Sequence, residues 1–122
     1  MERSRGAPAH SQRLQDFCGD AWIAVGDAAQ AYDPLSSQGM DKALRTGSHA
    51  GHMIHYALTD SLRDAAGLGS GNAFVHQYDV QQRQLWQTYL SQRDFYYGMQ
   101  LRWSDQPFWQ RRRRPDAPSV PP

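Results

Sequence analysis

Between Trp22 and Leu44 the chain reads WIAVGDAAQAYDPLSSQGMDKAL, and its chemistry-bearing residues come in a set order. An apolar run ends in Gly26-Asp27. A carboxylate at the edge of a strand accepts hydrogen bonds from the hydroxyls of a sugar or polyol chain, and a glycine beside it lets a ligand approach the backbone. Pro34 stiffens a turn that brings the chain back across such a ligand. Gln38, Gly39 and Met40 then open a helix, whose first N–H groups lack intrahelical partners and carry the positive end of the dipole. That end favours a group that is or becomes negative.

One strand, one acceptor and one donor cluster thus stand in the order that a flavin needs. Its ribityl hydroxyls would meet Asp27, and the N1–C2=O edge of the reduced ring would meet the helix start. A plainer reading stays open. Gly-Asp after a strand is often a turn, with Asp27 capping Ala28–Ala31 as one helical turn. Gly26-Asp27 alone would favour that turn, and the whole ordered pattern favours the ligand.

Hydropathy patterning gives the elements that hold these residues. Ala21–Val25 is apolar throughout and ends at Gly26, which predicts a strand buried on both faces. Ser11–Phe17 reads as a short strand or turn that approaches it. From Gln38 the period changes. Met40, Ala43, Leu44, Gly47, Ala50, Gly51, Ile54 and Leu58 recur at three- and four-residue steps and predict one apolar helix face. Asp41, Lys42, Arg45, Ser48, His49 and His52 fall mostly off that face. Residues 62–72 form a glycine-rich loop, with Asn72 as the N-cap of a second helix. That longer helix is expected from Ala73 to near Trp103, on Phe74, Tyr78, Leu85, Tyr89, Tyr96 and Trp103, with Pro107 ending it. Residues 1–9 read as a disordered leader and 111–122 as a disordered Arg/Pro tail.

Composition narrows the function classes. A length of 122 residues suits one small domain with a modest core. The net charge of +1 gives no global field for nucleic acid or an anionic membrane. Lys42 is the only lysine and Cys18 the only cysteine, so an internal disulfide and a cysteine-based zinc site are excluded. No apolar stretch is long enough for a spanning helix, and the leader has no apolar signal region. A soluble, cytoplasmic protein is expected.

GDAAQAYDPLSSQGMDKAL resembles the second FAD fingerprint of class A flavin-dependent monooxygenases, and more closely the branch of flavin-dependent (tryptophan) halogenases and halogenase-like monooxygenases. The resemblance extends over about residues 9 to 114, through Ala9-His10-Ser11-Gln12, Gly19–Val25, Phe95-Tyr96-Tyr97, Arg102-Trp103 and Pro107–Arg112. It implies a mostly α chain with a short β element: a fragment of the α/β FAD-binding (glutathione-reductase-like Rossmann) fold, one buried strand followed by two long helices. Residues 10–61 would be the C-terminal part of the FAD-binding domain and 73–110 the C-terminal helix with its aromatic segment.

The family's ribityl-binding aspartate falls on Asp27, its ring-side proline on Pro34 and its helix-opening glycine on Gly39. The implied cofactor-binding set is Gly26, Asp27, Pro34, Gln38, Gly39 and Met40. The family's strand–GxGxxG–helix unit for the ADP half of FAD is missing, and Gly67–Gly71 has the wrong spacing and context to replace it. The halogenases' catalytic lysine and tryptophan-containing motif are likewise missing. Gln38 stands where a halogenase has a small residue, which favours a halogenase-like hydroxylase.

The expected role is therefore the ribityl and isoalloxazine side of FAD in a larger oxidoreductase, with the chain alone inactive and binding FAD weakly or not at all. The partners would be FAD, a small electron-rich aromatic substrate, and a GxGxxG half on a separate chain. No general acid or base stands out. The alternative is a non-catalytic helical interaction module, or the remnant of a truncated flavoprotein gene. His49, His52 and His55 lack a carboxylate or cysteine at ligand spacing and read as solvated helix histidines, so no metal is expected. The aromatic end reads as core or interface, and the arginine run as a solvated helix end.

Overall fold

The computed structural model describes residues 10–19, 21–64 and 71–113. In chain order the elements are β1 (Gln12–Arg13), β2 (Cys18–Gly19), β3 (Trp22–Ile23), α1 (Gly26–Ala29), β4 (Gln30–Ala31), α2 (Gly39–Asp64), α3 (Gly71–Met99) and α4 (Pro107–Arg113), with a 3-10 turn at Pro34–Ser36. They fall into two compact units, Met1–Gln84 and Leu85–Pro122, with α3 divided between them. The leader, residues 65–70 of the glycine-rich segment and residues 114–122 of the tail lie outside the described residues.

In the first unit β1 pairs antiparallel with β4, placing Gln12 opposite Ala31 and Arg13 opposite Gln30. Strand β2 pairs antiparallel with β3, Cys18 opposite Ile23 and Gly19 opposite Trp22. The Leu14 N–H donates to the Ala29 carbonyl and the Ala24 N–H to the Phe17 carbonyl, each at 2.9 Å, which extends both ribbons. The strand expected over Ala21–Val25 is therefore only Trp22–Ile23. It is not buried on both faces, for Trp22 is 50% exposed and Val25 is exposed too. A doubly buried strand needs neighbours on both edges and cover on both faces, and β3 pairs only with β2 among the described residues.

The core is small: Phe17, Ala29, Ala50 and Tyr78, with Ile23, Ala24 and Met53 packed against it. Helix α2 meets the expected period but not the expected phase. Lys42, Thr46 and Ala50, each four residues apart, are its buried positions among the described side chains, whereas Met40 and Leu44 are 83% and 75% exposed and Leu58 is exposed as well. The polar positions are inside because the turn at α1 supplies hydrogen-bonding partners for them. Helix α3 starts at Gly71, so Asn72 lies within it, and it stops at Met99, short of Trp103. Pro107 opens α4 instead of ending α3, because at a first helical position its missing N–H costs nothing. Arg111–Arg113 thus belong to a helix.

One side of α3 is pinned to the N-terminal ribbons by polar groups. The Phe17 N–H donates to Asp79 Oδ1 (3.3 Å), and Arg83 Nε donates to Asp79 Oδ2 (2.6 Å). Arg83 also reaches Asp16 at 3.3 Å and lies over the Phe17 ring. Tyr78 is fully buried and donates its hydroxyl to the Ala24 carbonyl (2.8 Å). Burial, with the nearby Cys18, pushes that phenol up to about 12. Burial also raises the Cys18 thiol, helped by Asp79 and Asp16, so it is a poor nucleophile. A buried amide pair, Gln30 Nε2 to Gln82 Oε1 at 2.8 Å, joins β4 to α3 and leaves Gln30 Oε1 and Gln82 Nε2 without partners among the described residues.

In the second unit Tyr97, Phe108 and Trp109 form an aromatic cluster, with Tyr97–Trp109 centroids 5.7 Å apart and Phe108–Trp109 centroids 5.0 Å apart. Arg112 caps it, lying 3.8 Å over Phe108 and donating to the Tyr97 hydroxyl at 3.1 Å.

These polar ties should show in the stability of the chain. For Asp79, burial alone would raise the carboxyl, but hydrogen bonds from Arg83 and the Phe17 N–H, with the charges of Arg83 and His76, hold it below the usual carboxylate value. Its contribution is therefore present above the unfolded value of about 4 and is lost as pH falls through the folded value. Thermal denaturation from neutral pH to about pH 2 should show wild type losing more Tm than Asp79→Asn, which starts lower and falls less. For the amide pair, Gln82→Leu should cost about 1–3 kcal/mol by stranding Gln30 Nε2, and the double variant Gln30→Leu/Gln82→Leu should recover most of it in urea denaturation.

Candidate functional site

The turn at Gly26-Asp27 is built by backbone geometry that favours glycine. Gly26 has φ +58°, a Cβ there would lie 3.2 Å from Ala43 Cβ, and α1 packs at that point against α2. Val25 precedes it in extended conformation, and the Gln30 N–H closes the turn on the Gly26 carbonyl. The Gly26 N–H donates to Thr46 Oγ1 (3.0 Å), whose hydroxyl donates in turn to the Lys42 carbonyl (2.8 Å). The N-cap position of α1 is Val25, and Asp27 sits within the first turn, so Asp27 is not the capping residue.

Lys42 is the residue that joins the two parts of the motif. Its side chain is 5% exposed, and Nζ donates to Asp27 Oδ1 at 2.7 Å and to the Gln30 carbonyl. The ammonium also lies 4.2 Å from the Tyr32 ring centroid, a cation–π contact. Its partner Asp27 is open, with a side chain 72% exposed. Lys42 therefore occupies one edge of that carboxylate and leaves acceptor capacity facing solvent.

Pro34 opens the 3-10 turn Pro34–Ser36, which Asp33 caps by accepting the Leu35 N–H (3.0 Å). Ser37 has φ 49°, and this left-handed residue redirects the chain into α2. Gln38, Gly39 and Met40 are all exposed. The Lys42 N–H makes a first-turn bond to the Gln38 carbonyl (2.9 Å), so the N–H groups of Gly39, Met40 and Asp41 have no intrahelical acceptor. Among the described residues a Cβ on Gly39 would meet nothing within 4 Å, and Gly39, Met40 and Asp41 are exposed, so the start of α2 faces open space. Chemically, Asp27 can accept from hydroxyls and the start of α2 can donate to an acceptor that carries negative charge.

The structure thus brings Gly26 and Asp27 against the first two turns of α2 and holds Pro34 in the connecting turn. Sequence reasoning missed Lys42, Thr46 and Tyr32. The available signal was that the only lysine of the chain stands in the helix's first turn, four residues before a threonine. Of the three helix histidines, His52 and His55 are exposed, while His49 is half-buried and stacks on Tyr78 with centroids 5.6 Å apart. No group of three metal-ligating side chains is found among the described residues.

Comparison with known proteins points to the same broad class. A protein of Marinomonas mediterranea named as a putative FAD-dependent oxidoreductase, LodB, is 36% identical over 104 residues, covering 85% of this chain and 25% of that protein. The 1H-pyrrole-2-carbonyl-(peptidyl-carrier protein) brominase of Pseudoalteromonas luteoviolacea is 38% identical over 48 residues, 39% of this chain and 12% of its own length. The digeranylgeranylglycerophospholipid reductase of Haloferax volcanii is 37% identical over 65 residues, 53% and 16% of the two chains. The chain is related to FAD-dependent oxidoreductases and spans about a quarter or less of these relatives. No family model matches it, and no solved structure matches it.

Two substitutions test the turn. Gly26→Ala should cost about 1–3 kcal/mol in denaturant unfolding, because a Cβ is forced into left-handed backbone against Ala43. Lys42→Met should cost about 1–3 kcal/mol, mainly by leaving the buried Gln30 carbonyl without its donor, since Asp27 remains solvated.

Proposed function

We propose that this chain supplies the ribityl and isoalloxazine side of an FAD site in a monooxygenase-class, halogenase-like oxidoreductase. The observation that carries the reading is the Lys42 bridge, which holds an open carboxylate, Asp27, beside a helix start that faces open space. In this reading Asp27 accepts hydrogen bonds from ribityl hydroxyls, and Gly26 keeps the backbone free of a side chain that would block them. Gly39 and Met40 present N–H donors to the ring edge that becomes negative on reduction. Pro34 and the left-handed Ser37 fix the loop between these two contacts. FAD, when bound, supplies the two-electron redox chemistry and the reaction with oxygen.

The fold is then a fragment of the α/β FAD-binding (glutathione-reductase-like Rossmann) fold, and the adenine side comes from sequence corresponding to the rest of the relatives, on the same or a separate chain. Two features support that reading. Met40, Leu44 and Leu58 leave an apolar stripe of α2 exposed, as a missing half-domain would require. The relatives include a named FAD-dependent oxidoreductase and a brominase. The pyrrole in the brominase's name supports a small electron-rich aromatic substrate here. Gln38, standing where a halogenase has a small residue, supports hydroxylation over halogenation.

A chimera in which this chain replaces the matching quarter of the Marinomonas relative tests the proposal. The purified protein should carry flavin absorbance, and Asp27→Ala should weaken FAD binding roughly tenfold to a hundredfold, the loss of hydrogen bonds to a charged acceptor. A folded chimera that is colourless, or that holds FAD equally well without Asp27, contradicts it.

A further inference from the structure

The ion pair between Lys42 and Asp27 is lopsided. The Lys42 side chain is 5% exposed and that of Asp27 72% exposed, with Nζ 2.7 Å from Oδ1. A buried ammonium is costly, and an exposed carboxylate screened by water offsets little of that cost. The other demand on Nζ, the Gln30 carbonyl, is for one hydrogen bond, which a neutral amide donor could meet without a buried charge. The fold of the free chain therefore gives little reason for a cation at position 42. A ligand that covers Asp27 gives one, because a carboxylate taken out of water needs an opposite charge beside it.

The proposed ligand makes that need acute. FAD is an anion through its pyrophosphate, and the ring edge becomes negative on reduction. A carboxylate suits the ribityl hydroxyls as an acceptor but repels both of those charges. The neighbouring acids are matched or turned inward. Asp41, in the first turn of α2, pairs with Arg45 at 3.7 Å, and Asp33 is buried and accepts the Leu35 N–H. The Tyr32 ring, 4.2 Å from Nζ, gives the ammonium a further partner and helps to fix it beside Asp27.

We propose that Lys42 is the charge-balancing residue of the cofactor site, letting a carboxylate grip the ribityl chain of an anionic cofactor without opposing its reduction. The inference rests on the flavin reading and goes beyond it, since that reading asks of Lys42 only that it hold Asp27 in place. As a positioning residue Lys42 works through Asp27 and not by contact with the ring. Without its charge, Asp27 would stand uncompensated beneath the ligand, and reduction would add negative charge to the same site. The sign follows. Loss of the Lys42 charge lowers the reduction potential of the bound flavin, and loss of the Asp27 charge raises it. Loss of both returns it to its starting value.

The Marinomonas chimera, loaded with FAD, tests it through flavin affinity and through the reduction potential measured against a reference dye. Lys42→Gln keeps an N–H donor and removes the charge. It should weaken binding of oxidised FAD roughly tenfold and of reduced FAD roughly tenfold more, so that the potential falls. Lys42→Met should move the potential the same way. Asp27→Asn, at an exposed side chain that the fold does not need, should raise it. Asp27→Asn/Lys42→Gln should bring it back close to that of the unaltered chimera and lose less affinity than the two single changes together. A chimera that binds no flavin, or that holds it equally well without Asp27, overturns the flavin reading and this inference with it. A chimera that needs Asp27 for its flavin, but whose potential ignores Lys42→Gln and Lys42→Met or is not restored in the double variant, overturns the charge-balancing role alone.

Discussion

The first unit depends on one buried ammonium. Lys42 reaches from the first turn of α2 to Asp27 and to the Gln30 carbonyl, and it lies over Tyr32. Burying a charge is costly unless it is paired and hydrogen-bonded, and this one is compensated three ways. The compensation is available only if α1 sits directly on α2. That docking in turn favours glycine at position 26, because a side chain there would be strained at φ +58° and its Cβ would crowd Ala43. Thr46 completes the joint by relaying the Gly26 N–H to the Lys42 carbonyl. Glycine, lysine and threonine thus form one mechanical unit, and Asp27 is its exposed tip.

This arrangement explains why α2 buries its polar face. The apolar stripe at Met40, Leu44, Ile54 and Leu58 contributes little to the described core, which is held by Phe17, Tyr78 and the small residues Ala29 and Ala50. The specificity of that core comes from polar ties: Asp79 to the Phe17 N–H and Arg83, Tyr78 to Ala24, and Gln30 to Gln82. Buried polar groups of this kind stabilise modestly when satisfied and penalise wrong packing heavily. They fix the first part of α3 against the ribbons, while Met40, Leu44, Ile54 and Leu58 of α2 stay exposed.

Much of this was legible in the sequence, and the exceptions have physical causes. The 3.6-residue period revealed α2, and Gly26-Asp27, Pro34 and Gly39 marked a turn, a loop and a helix start that the structure contains. The phase of α2 was not legible, because a lysine off the apolar face shows no reason to be buried until its partner turn, 12 to 15 residues away, is known. The strand at Ala21–Val25 was overread for a related reason. Apolar residues report a preference for burial, and only distant strands can satisfy it. Pro107 shows a third limit, since the same residue stops one helix and starts another, and the turn at Trp103–Gln106 decides which. The Gln30–Gln82 pair spans 52 positions and leaves no local signature.

Lys42 is the only lysine, so its side chain can be observed without assignment ambiguity after lysine-selective isotope labelling. The measurement that bears most directly on the account is the NMR signature of that ammonium in the full chain. Burial against Asp27 and the Gln30 carbonyl predicts a side-chain NH3+ resonance protected from exchange with water at neutral pH, with the Cε protons shifted by the Tyr32 ring. Replacing Asp27 with asparagine should move that resonance. A rapidly exchanging signal at the position of a free lysine, indifferent to Asp27→Asn, would contradict the joint on which the turn, the helix phase and the proposed cofactor contacts all rest.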